Sequence, residues 1–450
     1  MSLDISLPDH PFDLVFHSEK AVVFTCLLSG RVLAYAYDDY GNSKKLWSSR
    51  PFKKSCRCLD ITLDGRTIWC GGKGKALAAI DTTSGQVTDK RVGSHNASIN
   101  RIKVLTDHLF ATGDDDGVIK IWDQRKNESI RSYNHHFDYI TDFLWLNSKK
   151  QLVTTSGDGT LSVIDVRSKQ TKPVAQSEDQ EDELLAIIPI IGETKFVVGT
   201  QLGILSIFNR SAGWGDCVDR VPGQAHLAPL TQHAAIDTSH LSVDTLLALP
   251  APFRNNKGST ILTGSSDGFI RAVEILPTKL LGVVADHGDF PVEKMALGRG
   301  GGQPLGDSVP ARSGLSTTSG DSDGPAVERS HGTPTEHWWL GSIGYDDSLK
   351  LTDLGRFFAE IDGKQAEELM GTSTPMGDDD GNAREEESPE VHTPMDEKVS
   401  NEDGNSDHSS GEEFASAPKK RKRLQKDPLI VKKKIGRNQL NVEGAFFAEL

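Results

Sequence analysis

The strongest constraint on this chain is a motif that returns seven times. DDDGVIKIWDQR at 114–125 is followed by SGDGTLSVIDVR at 156–167, GTQLGILSIFNR at 199–210 and GSSDGFIRAVEI at 264–275, and weaker copies stand at 28–38, 71–81 and 342–354. Each copy is a turn followed by an alternating apolar run, the period-two signature of a strand. With Trp122 as anchor, the equivalents Tyr35, Ile80, Trp122, Ile164, Phe208, Val273 and Thr352 are spaced by 45, 42, 42, 44, 65 and 79 residues. A period of about 40 to 45 residues is that of a four-stranded propeller blade. One such sheet cannot bury both faces alone, so the units pack radially and share their apolar sides. The two long intervals hold insertions. Residues 211–233 bear Gly and Pro, and 298–335 are rich in Gly, Ser and Asp with few strand formers.

Blade three suggests how a unit is cross-linked. His95, Thr112, Asp116 in the tight turn and Trp122 on the third strand form a set that can share buried hydrogen bonds. Asp114 and Asp115 are then expected to face solvent. Fragments of the set recur as Thr154 and Asp158, Thr263 and Asp267, and Ser342 and Asp346. SLDISLP at 2–8 reads as a lone strand that completes the last blade, whose own sequence ends near Leu354 after three strands. Such closure removes an exposed sheet edge. The expected fold class is all-β: a seven-bladed WD-repeat β-propeller over 1–355 with a disordered C-terminal tail.

Beyond the propeller, charge divides the chain. A linker is expected at 356–375. Residues 376–413 then hold fourteen Asp/Glu against Arg384 and Lys398, whereas 419–437 hold ten Lys/Arg against Asp427. The expected segments are an acidic disordered stretch at 376–417 and a basic tail at 418–450. Eight residues separate Lys419, Lys420, Arg421, Lys422 and Arg423 from Lys432, Lys433 and Lys434, a spacing similar to a bipartite nuclear import signal. The same charge can hold RNA non-specifically through counterion release. Ser388, Thr393 and Ser409 to Ser410 are expected phosphorylation sites. RFFAEI at 356–361 and AFFAEL at 445–450 are near copies, and the second is read as a docking motif or as a cap on the propeller.

No catalytic pattern accompanies these features. GxxxxGK[ST] and HExxH are absent, and GGKGK at 71–75 reads as a hairpin turn without a helix to bind an anion. Residues 114–117 lack the ligand spacing of a calcium loop. Cys26, Cys56, Cys58, Cys70 and Cys217 have neither CxxC pairs nor an even count, so they are expected as reduced thiols. His135 and His136 precede a first strand and are read as structural, while Trp338 and Trp339 are read as one core residue and one contact. No cofactor, small-molecule substrate, signal peptide or membrane span is expected.

Two stretches carry a resemblance. Residues 138–167 (DYITDFLWLNSKKQLVTTSGDGTLSVIDVR) and 265–297, especially IRAVEILP at 270–277, resemble blades of the WD repeat-containing protein 55 family and its fungal counterparts. The resemblance covers about residues 10–355. It implies a nuclear, nucleolus-associated scaffold that works among proteins of pre-ribosomal complexes in ribosomal RNA processing and large-subunit production. The insertion at 298–335 and a single Trp-Asp dipeptide depart from the pattern. A second reading comes from WDQR at 122–125 and IDVR at 164–167, which resemble the WDxR box of cullin-RING ubiquitin-ligase substrate receptors. There Asp123, Arg125, Asp165 and Arg167 would contact the ligase adaptor; alternatively each Arg pairs with a local acid.

Overall fold

The structure is a computed structural model that describes residues 2–222, 241–253, 258–300 and 337–371. Alternating apolar runs between glycine-bearing turns produce seven antiparallel sheets of four strands each. Six are continuous in sequence, beginning with Pro11–Phe16, Cys56–Ile61, Ile99–Val104, Ile140–Leu146, Leu184–Ile190 and Val243–Ala248. The seventh combines Val292–Arg299, Trp338–Gly344 and Ser348–Asp353 with the N-terminal strand Ser2–Ser6, which pairs antiparallel with Ser348–Asp353. The expected closing strand is therefore present, and it covers what would otherwise be an open edge.

The seven anchor positions share one register. Val23 faces Tyr35, Phe110 faces Trp122, Phe196 faces Phe208 and Leu340 faces Thr352 across the second and third strands. Seven hydrophobic clusters fill the layers between neighbouring blades. In the layer between blades two and three, Trp69, Leu77, Ile99, Phe110 and Trp122 come together; between blades seven and one, Leu14, Phe16, Trp339 and Leu351 do. Every blade thus contributes side chains to two layers, and none can bury its faces without both neighbours.

Each innermost strand carries a register shift near its start, for example between Ile99 and Arg101 and between Val292 and Lys294. Such bulges sharpen local twist where seven strands converge on one axis. Neighbouring inner strands are tied by carboxylates: Asp13 accepts from Leu59 N at 3.0 Å, and Asp60 accepts from Val104 N at 2.8 Å. Lys294 of blade seven reaches Asp142 of blade four at 3.5 Å, so a charge pair spans the central channel.

The described residues change two expected boundaries. Part of the insertion at 211–233 is regular structure, since Asp219–Pro222 is the fourth strand of blade five. The expected linker at 356–375 begins as a helix, α1 (Leu354–Gly371), with Asp353 capping Arg356 N at 3.1 Å and Arg356 bridging Glu360. Its amphipathic start places Phe358 on Phe253 at 5.1 Å between ring centres, and buries Leu354 in the layer between blades six and seven. The two phenylalanines of RFFAEI thus pack, half-buried, against blade six and its neighbouring layer. The acidic segment, AFFAEL and the basic clusters lie outside the described residues.

Candidate functional site

The first candidate set is internal to blade three. His95 Nδ1 meets Asp114 Oδ2 at 2.7 Å, His95 Nε2 meets Thr112 Oγ1 at 2.6 Å, and Trp122 Nε1 donates to Thr112 Oγ1 at 2.8 Å. Burial pushes the His95 pKa down despite the carboxylate. A neutral imidazole with its proton on Nδ1 lets Trp122, Thr112 and His95 each donate once in a chain ending at Asp114. All four side chains are buried.

The aspartate of this set is Asp114, not the expected Asp116. Asp114 ends the strand Leu109–Asp114, two residues from Thr112, so both side chains emerge on the face that meets His95. Its other oxygen accepts from Asp116 N and Val118 N, at 3.1 and 2.8 Å, and fixes the turn. Asp116 lies past the strand's end and is exposed. Asp115 is not free in solvent either, for it accepts from Asn100 Nδ2 at 2.6 Å and pairs with Arg57 at 3.3 Å.

Other blades solve the problem with different atoms. In blade four His136 binds Asp158 at 3.1 Å and Ser162 at 2.8 Å, while Thr154 Oγ1, the expected partner, is buried without a hydrogen bond. Burial works against ionisation of Asp158, but hydrogen bonds from His136 and Thr160 hold its carboxyl well below the usual range. Blade seven brings Ser342 and Asp346 together on His287. In blade six Asp267 instead receives a fork from Arg271, at 3.0 and 2.6 Å. Asp158 and Asp346 occupy the turn position of Asp116. Their blades carry Ser156 and Gly344 where blade three has Asp114, so the carboxylate two residues on is the one that serves the histidine.

The second set lies at the outer ends of third strands. Arg125 donates from Nε and Nη2 to Asp123 at 2.9 and 2.8 Å, and Arg167 does the same to Asp165 at 3.0 and 2.7 Å. Each aspartate also caps its arginine's own backbone N–H. These hydrogen bonds hold both carboxyls below their ordinary pKa. The two arginine side chains are about two-thirds exposed, at 65% and 67%, and in each Nη1 has no hydrogen bond among the described residues. The acid thus splints the arginine and leaves one edge of its fork outward.

The remaining candidates resolve as structure. GGKGK lies in the hairpin between Thr67–Gly72 and Leu77–Asp81. Trp339 is fully buried, while Trp338 is partly exposed beneath the Arg299 guanidinium. Cys26, Cys56, Cys58 and Cys70 are buried free thiols, and burial raises the pKa of the first three. Among the described residues no group of His, Cys, Asp or Glu could hold a metal, and no helix is long and apolar enough to cross a membrane.

Comparisons with known proteins agree with this architecture. The profile of the WDR55 family matches residues 2–302. WD repeat-containing protein JIP5 of Laccaria bicolor is 45% identical over 99% of this chain and all of its own length. WD repeat-containing protein 55 of Rattus norvegicus is 32% identical over 65% of this chain and 70% of its own. Among solved structures, a chain in the crystal structure of a mitotic checkpoint complex aligns with a TM-score of 0.56 over 78% of this chain and 90% of that one. At 15% identity, that likeness concerns the fold alone.

Proposed function

The chain belongs to the WDR55 family of WD-repeat proteins, and from that premise we propose that it is a non-catalytic scaffold in nucleolar ribosome biogenesis, supporting ribosomal RNA processing and large-subunit production. The observation that carries the reading is the family likeness across the propeller, with IRAVEILP as its most distinctive run. The internal chemistry fits it: His95, His136 and His287 are each consumed by bonds that hold their own blade together. The basic clusters at 419–423 and 432–434 suit nuclear import and nucleolar retention. Depleting the protein should accumulate precursors of large-subunit RNA and lower the ratio of large to small subunits. Normal precursor levels after depletion would reject the reading.

One observation favours a second reading, adaptor contact in a cullin-RING ubiquitin ligase. Arg125 and Arg167 are splinted alike, with a donor edge outward on two adjacent blades. Replacing both by Ala separates the readings. Loss of adaptor association with normal RNA processing assigns the arginines to a ligase, and precursor accumulation with unchanged association assigns them to the scaffold.

A further inference from the structure

The turn between second and third strands hydrogen-bonds, blade after blade, to the residues leading into the first strand. Asp115 N donates to Ser98 O, Gly157 N to Tyr139 O, Gln201 N to Glu183 O, Ser266 N to Ser242 O and Tyr345 N to Pro291 O. These two kinds of loop therefore build one rim, at the end of the channel where the inner-strand bulges lie. Charge on that rim is segregated. Over blades one and two it carries Arg31, Lys53, Lys54, Arg57, Lys73 and Lys75 against Asp9. Over blades four to seven the described loops (134–139, 156–160, 177–183, 200–204, 241–244, 265–268, 287–293 and 344–348) contain many Asp and Glu and no Lys or Arg, although Arg271 and Lys350 from the adjoining strands pair with Asp267 and Asp346. The opposite rim mixes signs, as in Asp107, Arg125, Lys126 and Glu128.

Two further observations mark the acidic arc as more than solvated surface. Large apolar side chains stand out along it: Phe137 is 89% exposed, Tyr345 52%, Leu202 50% and Phe290 48%. Aromatic faces set among carboxylates suit cationic side chains, which gain from the ring and from the acid together. At the channel end, Asp244 and Glu293 occupy the bulge positions of blades six and seven. Glu293 makes no hydrogen bond or ion pair with any described residue. Burial, with Asp244 adding to it against the opposing Arg101, pushes its pKa up to about 7. Lys294, beside it in sequence, is already paired with Asp142.

We propose that the rim of blades four to seven is a docking surface for an extended Lys/Arg-rich segment of a partner protein, with Phe137, Phe290 and Tyr345 contacting its cationic side chains and one such side chain reaching Asp244 and Glu293. The surface lies apart from the Asp123–Arg125 and Asp165–Arg167 forks, and the proposal does not depend on a role in ribosome assembly.

The test uses the full chain and a fluorescein-labelled peptide of repeated Arg-Gly-Lys, read by anisotropy. Three double variants are compared: Asp244→Asn with Glu293→Gln at the channel mouth, Phe137→Ala with Phe290→Ala on the rim, and the charge-matched control Asp107→Asn with Glu128→Gln on the opposite rim. The mouth pair should weaken binding about tenfold, the aromatic pair about fivefold at unchanged net charge, and the control should bind like the parent. Equal losses in mouth and control pairs would make the binding a generic charge effect and overturn the proposal. So would parental affinity in the mouth and aromatic pairs, which would place the binding on the acidic stretch at 376–413, or no binding at all. Self-association of the chain that these same substitutions abolish would assign the rim to a second copy, and would also overturn it. Melting curves of the three variants confirm that each is folded.

Discussion

His95 and Asp114 are joined at 2.7 Å with both side chains withdrawn from solvent, although two other carboxylates follow Asp114 directly in sequence. Removing the buried member should be far costlier than removing the exposed one. Asp114→Ala leaves the Nδ1 proton of His95 and two turn amides unsatisfied, a loss of about 3 to 5 kcal/mol. Asp116→Ala should change stability by less than about 0.5 kcal/mol. Urea titration of both variants checks the order, and equal losses would return the structural role to Asp116.

The N-terminal strand makes a second prediction. Ile5 is buried in the layer shared by blades seven and one, and Leu3 packs against it. Ile5→Ala should cost about 2 to 4 kcal/mol through lost burial and the cavity left behind. Ser6→Ala, on the exposed face of the same strand, should be nearly neutral. The two melting temperatures compare these directly.

Much of this fold is legible because the repeat is regular where packing is regular. The spacing of Tyr35, Ile80, Trp122 and Ile164 marks positions that share a register across the second and third strands. The lone strand at the start is legible for a complementary reason, since a last blade with three strands of its own needs a fourth. What is hidden depends on direction rather than pattern. Three consecutive aspartates look alike in sequence, and only the two-residue period back to Thr112 selects Asp114. Ser162 replaces Thr154 as the hydroxyl on His136 because a neighbouring strand can present the same group to the same space. Helix α1 was masked by its position between a propeller edge and a charged tail. Its signal was the apolar cluster Leu354, Phe357 and Phe358 at helical spacing, with Asp353 in front of it.

That helix can be tested separately. Phe358 stacks on Phe253, and Phe357 lies against Gly282 of the outermost strand of blade six. Phe358→Ala should cost about 1 to 2 kcal/mol if the helix is part of the cooperative unit, and the loss should shrink in a Phe253→Ala background through non-additivity. Additive losses in the double variant would mean that the two rings stabilise the chain independently.

Glu293 should make stability fall as the solution becomes more alkaline. Its folded pKa is raised, to about 7 from an ordinary value of 4.5, so the fold favours the protonated carboxyl. The unfolded chain releases its proton first. Stability is therefore greatest below the unfolded value and is lost as pH rises from there through the folded value. Asp244 acts in the same direction, with its pKa pushed up to about 6 chiefly by burial. Glu293→Gln keeps the shape of the protonated side chain and cannot ionise. Its melting temperature should match the parent near pH 4 and exceed it at pH 8, and a parent that is the more stable protein at pH 8 would show that ionised Glu293 is already compensated within the chain.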